Sequence, residues 1–251
     1  MKKTLFIAAL AASCGFNVAS AMILTFTDTD GAFPGATYNR AFSTTTGTGD
    51  GPGSSWSETV TFSDGTKFTI GIDSGRIFSQ TATETTWSNT EVLTDLNTAL
   101  GTSITAEQVG LLNYVSSKAQ GAHMSLTLNY GGNSAFSAGS KMVYYAFVTL
   151  SSDGNGNSVL TNISVTGLDN AQVSWALPGG TGYETESMNI GQGTLGLVKV
   201  TGTLTEIQEV TLSSTSPKNG WAALMTVPEP TTATLSLVAL VGLCSRRRRK
   251  K

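Results

Sequence analysis

From Thr59 to Ile72, apolar side chains return at every second position, and that period restricts the fold more than any other feature of the chain. Val60 and Phe62 point one way, Asp64-Gly65 offers a two-residue turn that accepts positive φ, and Phe68, Ile70 and Ile72 come back on the same period. This is the pattern of a β-hairpin. Leu24 and Phe26 alternate with Ile23, Thr25 and Thr27 in a first strand. Further strands are expected at His123 to Tyr130, Met142 to Leu150, Leu160 to Thr166, Gln172 to Leu177, Leu195 to Thr205, Glu209 to Ser213 and Trp221 to Thr226. Thr, Ser and Gly crowd the chain, and Thr suits exposed strand positions because of its β-branch. Many short strands separated by Gly-rich or Asn/Asp-rich turns predict a mainly β fold, an antiparallel β-sandwich of jelly-roll-like form.

One stretch departs from the period of two. Ser88-Asn89-Thr90-Glu91 has the S-x-x-E form of a capping box, and Val92, Leu93, Leu96 and Leu100 then recur at helical spacing up to Gly101. A second helix is expected from Thr105-Ala106-Glu107-Gln108, with Val109, Leu112 and Val115 on one stripe, ending by Gly121. The pair, about residues 89–119, forms an inserted helical hairpin whose apolar stripe covers one open end or face of the sandwich. Gly-rich Thr44 to Ser55 reads as a long loop, and no repeat of solenoid period is present.

The two ends carry signals of another kind. Lys2 and Lys3, the apolar run Leu5 to Ala12, and Ala19-Ser20-Ala21 before Met22 have the anatomy of a secretory signal peptide over residues 1–21, cut by signal peptidase between Ala21 and Met22. A lipoprotein reading at Cys14 is weaker, because Ala11-Ala12-Ser13 lacks the usual leading Leu and the apolar run before it is short. At the other end, Val227-Pro228-Glu229-Pro230 precedes an apolar run, Ala233 to Cys244, and then Ser245, Arg246, Arg247, Arg248, Arg249, Lys250 and Lys251. Spanning a hydrocarbon core takes about 20 apolar helical residues, so this short hydrophobic helix is a marginal transmembrane anchor. Its basic flank stays on the cytoplasmic face.

Pro228-Glu229-Pro230, the apolar run and the arginines together resemble the PEP-CTERM sorting signal of Gram-negative bacteria. The resemblance covers residues 227–251 and implies export by the general secretory pathway and recognition by an exosortase, a membrane transpeptidase-like enzyme. It also implies a precursor held transiently in the inner membrane, removal of the tail, and a destination at the cell surface or in an exopolysaccharide matrix. The stretch from Trp87 through Asn219-Gly220-Trp221-Ala222-Ala223-Leu224 looks like a body shared by surface proteins of this type. Neither resemblance names a ligand or an activity for the body, residues 22–226.

Charge and cysteine exclude several chemistries. Setting aside Lys2, Lys3 and the six basic residues at the C-terminus leaves seven cations against seventeen acids, a net charge near −10. Such a surface repels phosphate backbones, so nucleic acid is not an expected partner. Cys14 and Cys244 both lie in the terminal segments, so the body has no disulfide, thiol nucleophile or thiolate metal site.

The remaining motifs mostly fail on their context. Gly191-Gln192-Gly193-Thr194-Leu195-Gly196 spells a dinucleotide fingerprint, but an alternating strand follows where a helix is required. Asp153-Gly154-Asn155-Gly156-Asn157-Ser158 imitates a calcium loop yet has Ser158 at the sixth position and Ser164 at the twelfth, so a hairpin turn explains it better. Asp28, Asp30 and Asp50 form a second, weaker oxygen cluster; no cofactor is expected, with Ca2+ the one candidate. His123, the only histidine, has no nucleophile elbow to serve. Glu184 and Glu186 beside Tyr183, and Glu58 beside Trp56, keep open a glycoside-hydrolysing enzyme with paired carboxylates, although acids on a solvated strand are much commoner. Trp175 and Trp221 belong in the core. Trp56 and Tyr183, next to Gly-rich loops, are the candidates for exposed glycan contacts. The sequence therefore predicts a non-enzymatic structural, adhesive or polysaccharide-binding sandwich.

Overall fold

The computed structural model describes residues 22–25, 56–62, 65–72, 77–81, 87–110, 112–117, 124–131, 133, 136–150, 158–160, 163–185, 188–190, 195–214 and 219–228. In chain order these form β1 (Met22–Thr25), β2 (Trp56–Thr61), β3 (Lys67–Ile72), β4 (Ile77–Thr81), α1 (Thr90–Leu100), α2 (Ala106–Gly110), β5 (Asn113–Ser117), β6 (Met124–Asn129) and β7 (Lys141–Leu150). There follow β8 (Ser158–Leu160), β9 (Ile163–Thr166), β10 (Leu168–Ala176), β11 (Met188–Ile190), β12 (Gly196–Leu204), β13 (Glu209–Ser214) and β14 (Asn219–Pro228). The first sheet has the order β10-β12-β7-β14-β5-β4, with β1 also paired to β14. The second has the order β2-β3-β6-β13-β9, and β8 with β11 makes a small ribbon.

Strand β7 sets the layering. Every residue from Met142 to Thr149 is buried. Met142, Tyr144, Ala146 and Val148 share a core with Phe68, Ile70, Leu126 and Leu212 of the second sheet. Val143, Tyr145 and Phe147 share another with Val92, Leu96 and Val109. Successive strand residues point to opposite faces, so the first sheet has the second sheet on one side and the helices on the other. The chain is thus a mainly β protein of two facing antiparallel sheets, as the alternation predicted, with a helical layer outside. In β14 a bulge shifts the register between Trp221, opposite Val148, and Ala223, opposite Phe147. Trp221 and Leu224 therefore enter the inter-sheet core, while Ala222, Ala223 and Met225 face the helices.

The strands expected around 123–130, 142–150, 195–205, 209–213 and 221–226 form as β6, β7, β12, β13 and β14. The expectation at 160–166 splits, because β8 and β9 belong to different sheets. The β2–β3 hairpin forms, but Phe62 N–H donates to the Thr66 carbonyl at 2.9 Å, so three residues rather than two lie within the turn. Gly65, at φ 88°, occupies its left-handed position. Gly167, at φ 84°, links β9 in the second sheet to β10 in the first, and a Cβ there would collide with the Glu209 carbonyl.

The helical region needs two corrections. Asn89, not Ser88, caps α1: its Oδ1 accepts from Val92 N–H at 3.3 Å, while Ser88 Oγ donates to the Pro178 carbonyl at 3.1 Å. The second helix starts as expected, since Thr105 N–H donates to Gln108 Oε1 at 2.9 Å and Gln108 N–H to Thr105 Oγ1 at 3.2 Å, a reciprocal capping box. It ends at Gly110, however, and 113–117 is strand β5, with Val115 opposite Ser79 and Trp221. The free edge of β14 supplies backbone partners that another helical turn would leave unused, and Tyr114 and Val115 suit a strand. The helical pair thus does not reach 119, although Val92, Leu96, Val109 and Leu112 are all buried as expected. Residues 26–55, with the Gly-rich loop, and 229–251, with the expected apolar helix, lie outside the described residues. Among the described residues no helix is long and apolar enough to cross a membrane.

Leu96 is fully buried between α1 and the first sheet. Replacing it with Ala is expected to cost about 2 to 5 kcal/mol, read as a lower denaturation midpoint. An unchanged midpoint would show that the helices are an appendage.

Candidate functional site

The outer face of the first sheet is only partly covered by α1. In β12, Val198 and Val200 enter the inter-sheet core, which turns Lys199 and Thr201 to the helical side. In β10, Trp175 enters the same core while Ala176 meets the helices, so Ser174 and Gln172 share the face of Ala176. The register places Gln172 beside Thr201 and Ser174 beside Lys199. Trp175 and Glu184 exchange both backbone hydrogen bonds at 2.7 Å, which brings Tyr183 and Thr185 over these strands. The result is a groove of about 550 Å³ lined by Gln172, Val173, Ser174, Tyr183, Thr185, Lys199 and Thr201.

Asp95 of α1 organises one border of the groove. Its Oδ2 accepts from the Tyr183 hydroxyl at 2.7 Å, the Lys199 ammonium at 2.8 Å and the Tyr145 hydroxyl at 3.2 Å. The ammonium also lies 4.8 Å from the Tyr183 ring centroid and 5.5 Å from that of Tyr145. Burial pushes the Asp95 carboxyl up, but the hydrogen bonds from Lys199 and Tyr183, the charge of Lys199 and the Tyr145 hydroxyl outweigh it and hold the group below its ordinary value. The Tyr183 hydroxyl is pushed strongly upward by burial, then by its hydrogen bond to the Asp95 carboxylate and the charge there. Tyr183 therefore stays neutral and donates.

The loop that carries Tyr183 is tied to the start of α1. Asn89 Nδ2 donates to the Leu177 carbonyl at 3.1 Å and the Gly182 carbonyl at 3.3 Å, and the backbone N–H groups of Ser88 and Asn89 both donate to the Pro178 carbonyl. One buried asparagine thus caps the helix and anchors the loop.

The groove offers amide and hydroxyl groups from Gln172, Ser174, Thr185 and Thr201. Among the described residues its one cation, Lys199, is already paired with Asp95. That balance suits an uncharged, hydroxyl-bearing ligand better than an anion. Among the described residues no carboxylate lines the groove itself, Asp95 standing at its border.

Of the residues singled out from sequence, Tyr183 is at the site, half-buried rather than freely exposed. Trp56 begins β2 in the second sheet, so the two proposed aromatic contacts stand on different sheets; the Trp56 side chain lies outside the described residues. Trp175 and Trp221 are core residues, as expected. Glu184 is exposed, whereas Glu186 and the Glu58 side chain are outside the described residues, as are His123, Asp28, Asp30, Asp50 and 153–157. Leu195 and Gly196 lead into β12, a strand, which disposes of the dinucleotide fingerprint. Among the described residues no three His, Cys, Asp or Glu side chains gather as a metal-holding group. Met22 opens β1 and Pro228 closes β14; Ala19, Ala21, Glu229, Pro230 and Arg246 to Arg249 lie outside the described residues.

Asp95 and Lys199 were not anticipated. A signal existed in Val198-Lys199-Val200, where a cation in an apolar strand requires a partner.

No family model matches the sequence, and no curated protein matches it. Among solved structures, the chain is similar to modules of the Clostridium thermocellum endo-1,4-beta-D-xylanase 10B, complexed with xylohexaose, at 8% identity and a TM-score of 0.25. The match covers 71% of this chain and 25% of that one. A likeness of that size carries no argument about function.

The depressed Asp95 carboxyl fixes the sign of one pH effect. The unfolded chain takes up the proton first, so the ion pair's contribution is complete above an ordinary carboxyl value of 3.8 and is lost as pH falls through the lower folded value. Asp95→Asn is expected to be less stable than the parent at neutral pH, with the gap closing in acid. Urea midpoints from pH 7 down to about pH 2 check this; a constant gap would mean that the ion pair contributes nothing.

Proposed function

We propose that the chain is an exported protein of the cell surface or extracellular matrix, sorted by exosortase, whose body is a non-enzymatic, jelly-roll-like sandwich that binds glycan. The observation that carries the binding part is the groove between β10, β12 and Tyr183. It presents neutral hydrogen-bonding groups beside an aromatic ring fixed by Asp95 and Lys199. Sugars need both, since their hydroxyls seek such partners and their ring faces seek apolar surface. The sorting part rests on the two terminal signals. In this reading signal peptidase releases Met22, the apolar run 233–244 holds the precursor in the inner membrane, and exosortase removes it.

Two measurements test the proposal. Intact mass of protein recovered from the cell surface should show a chain that begins at Met22, ends near Pro230 and lacks Arg246 to Lys251; joint replacement of Pro228, Glu229 and Pro230 by Ala should leave a membrane-held precursor. A surface species still carrying the basic tail would defeat the sorting reading. On a glycan array, binding by the parent should weaken about tenfold or more in Tyr183→Ala, the loss of one good aromatic contact. Equal binding by both would remove the groove from the account.

A further inference from the structure

The second sheet has a solvent-facing side whose order goes beyond ordinary strand preference. Phe68, Ile70, Leu126, Leu212 and Val210 face the core, so the residues between them face outward. The register then aligns one threonine from each strand: Thr59 opposite Thr69, Thr69 opposite Thr127, Thr127 opposite Thr211 and Thr211 opposite Thr166. The next outward row is Ser57, Gly71, Ser125, Ser213 and Ser164, again one residue per strand. Both rows are exposed on the two edge strands and half-buried on the three inner ones.

Threonine is common on any solvated strand face. That preference places it somewhere on each strand; it does not require five in one register line with small side chains in the next. Neighbouring strands lie about 4.8 Å apart and alternate residues about 6.8 Å apart along a strand, so the face is a lattice of hydroxyls with fixed repeats in two directions. The β-branched side chains have few rotamers. Hydroxyl pairs at Thr59–Thr69, 2.7 Å, and Thr127–Thr211, 2.8 Å, restrict them further. Each pair uses one O–H and leaves the other, with spare lone pairs, for a ligand. No charge falls within the two rows, although the body as a whole is acidic; Lys67 and Glu209 stand in the next row on the other side of the threonines, with Thr61 and Asn129.

We propose that this face is a second binding surface, for the ordered exterior of a neutral polysaccharide in which parallel chains repeat their hydroxyls. It deepens the glycan-binding reading and rests on it, but uses the sheet opposite the groove. A rigid uncharged lattice loses little entropy on docking and meets no charge to desolvate, which favours a periodic neutral solid over a single soluble chain or an anionic polymer. The groove, by contrast, has room for one short segment.

The test is retention of the protein, as recovered from the cells that make it, on microcrystalline cellulose and on crystalline chitin. Thr69→Val with Thr127→Val keeps shape and strand preference and removes two central hydroxyls. Retention on at least one solid should fall about tenfold, from the loss of a few hydrogen bonds, while Thr98→Val on α1 changes nothing. If Tyr183→Ala abolishes retention and the threonine pair leaves it intact, the groove reading stands and this surface is wrong. Absence of retention on both solids also overturns it; binding of soluble oligosaccharide would then still support the groove. Shaping of ice crystals lost in the threonine pair, without retention on either solid, would assign the lattice to ice instead.

Discussion

The double burial of β7 is the constraint on which the other layers depend. A strand with a core on each side must be apolar at every position, and Met142 to Val148 is. The two sides are not equivalent. Toward the second sheet stand Tyr144 and Val148, and the buried Tyr144 hydroxyl meets that of Tyr130 at 3.0 Å; toward the helices stand Tyr145 and Phe147, with Trp87 edge-on to Phe147 at 5.5 Å. Without α1 and α2, that second row of aromatic and aliphatic side chains would face water, so the helices are part of the fold's stability rather than decoration.

The same arrangement produces the groove. The helical layer is shorter than the sheet beneath it, and β10 and β12 extend past its cover. Where the cover stops, polar residues replace apolar ones: Leu195 and Leu197 are buried against the helices, and Lys199 and Thr201 are the first on that face to meet solvent. Asp95 projects from the border of the helix to neutralise Lys199, so the boundary between core and groove is also the place where the charge is satisfied. Asn89 ties that boundary to the Tyr183 loop.

The sequence revealed those strands whose two sides differ in environment. β6 and β13 alternate buried and half-exposed residues along their whole length, and both were legible. β7 was legible for the opposite reason, as an unbroken apolar run bounded by turn residues. β5 was hidden because its strand character comes from pairing with β4 on one side and with the edge of β14, more than a hundred residues away, on the other, whereas its local context follows a helix. Distance also hid most of the groove. Tyr183 could be picked out as an aromatic beside glycines, but its partners come from α1 and β12, and Lys199 is 104 residues from Asp95. The threonine rows escaped notice too, since each strand shows only one or two of their members and the alignment exists only once the register does.

β1 pairs antiparallel with β14, Met22 lying opposite Thr226 and Thr25 opposite Ala223. Whatever is attached before Met22 and whatever is attached after Pro228 therefore leave the body from the same end of the same sheet. Holding the molecule by its front or by its back presents the same pole to the holder. An exchange of one attachment for the other would not require the sandwich to turn over.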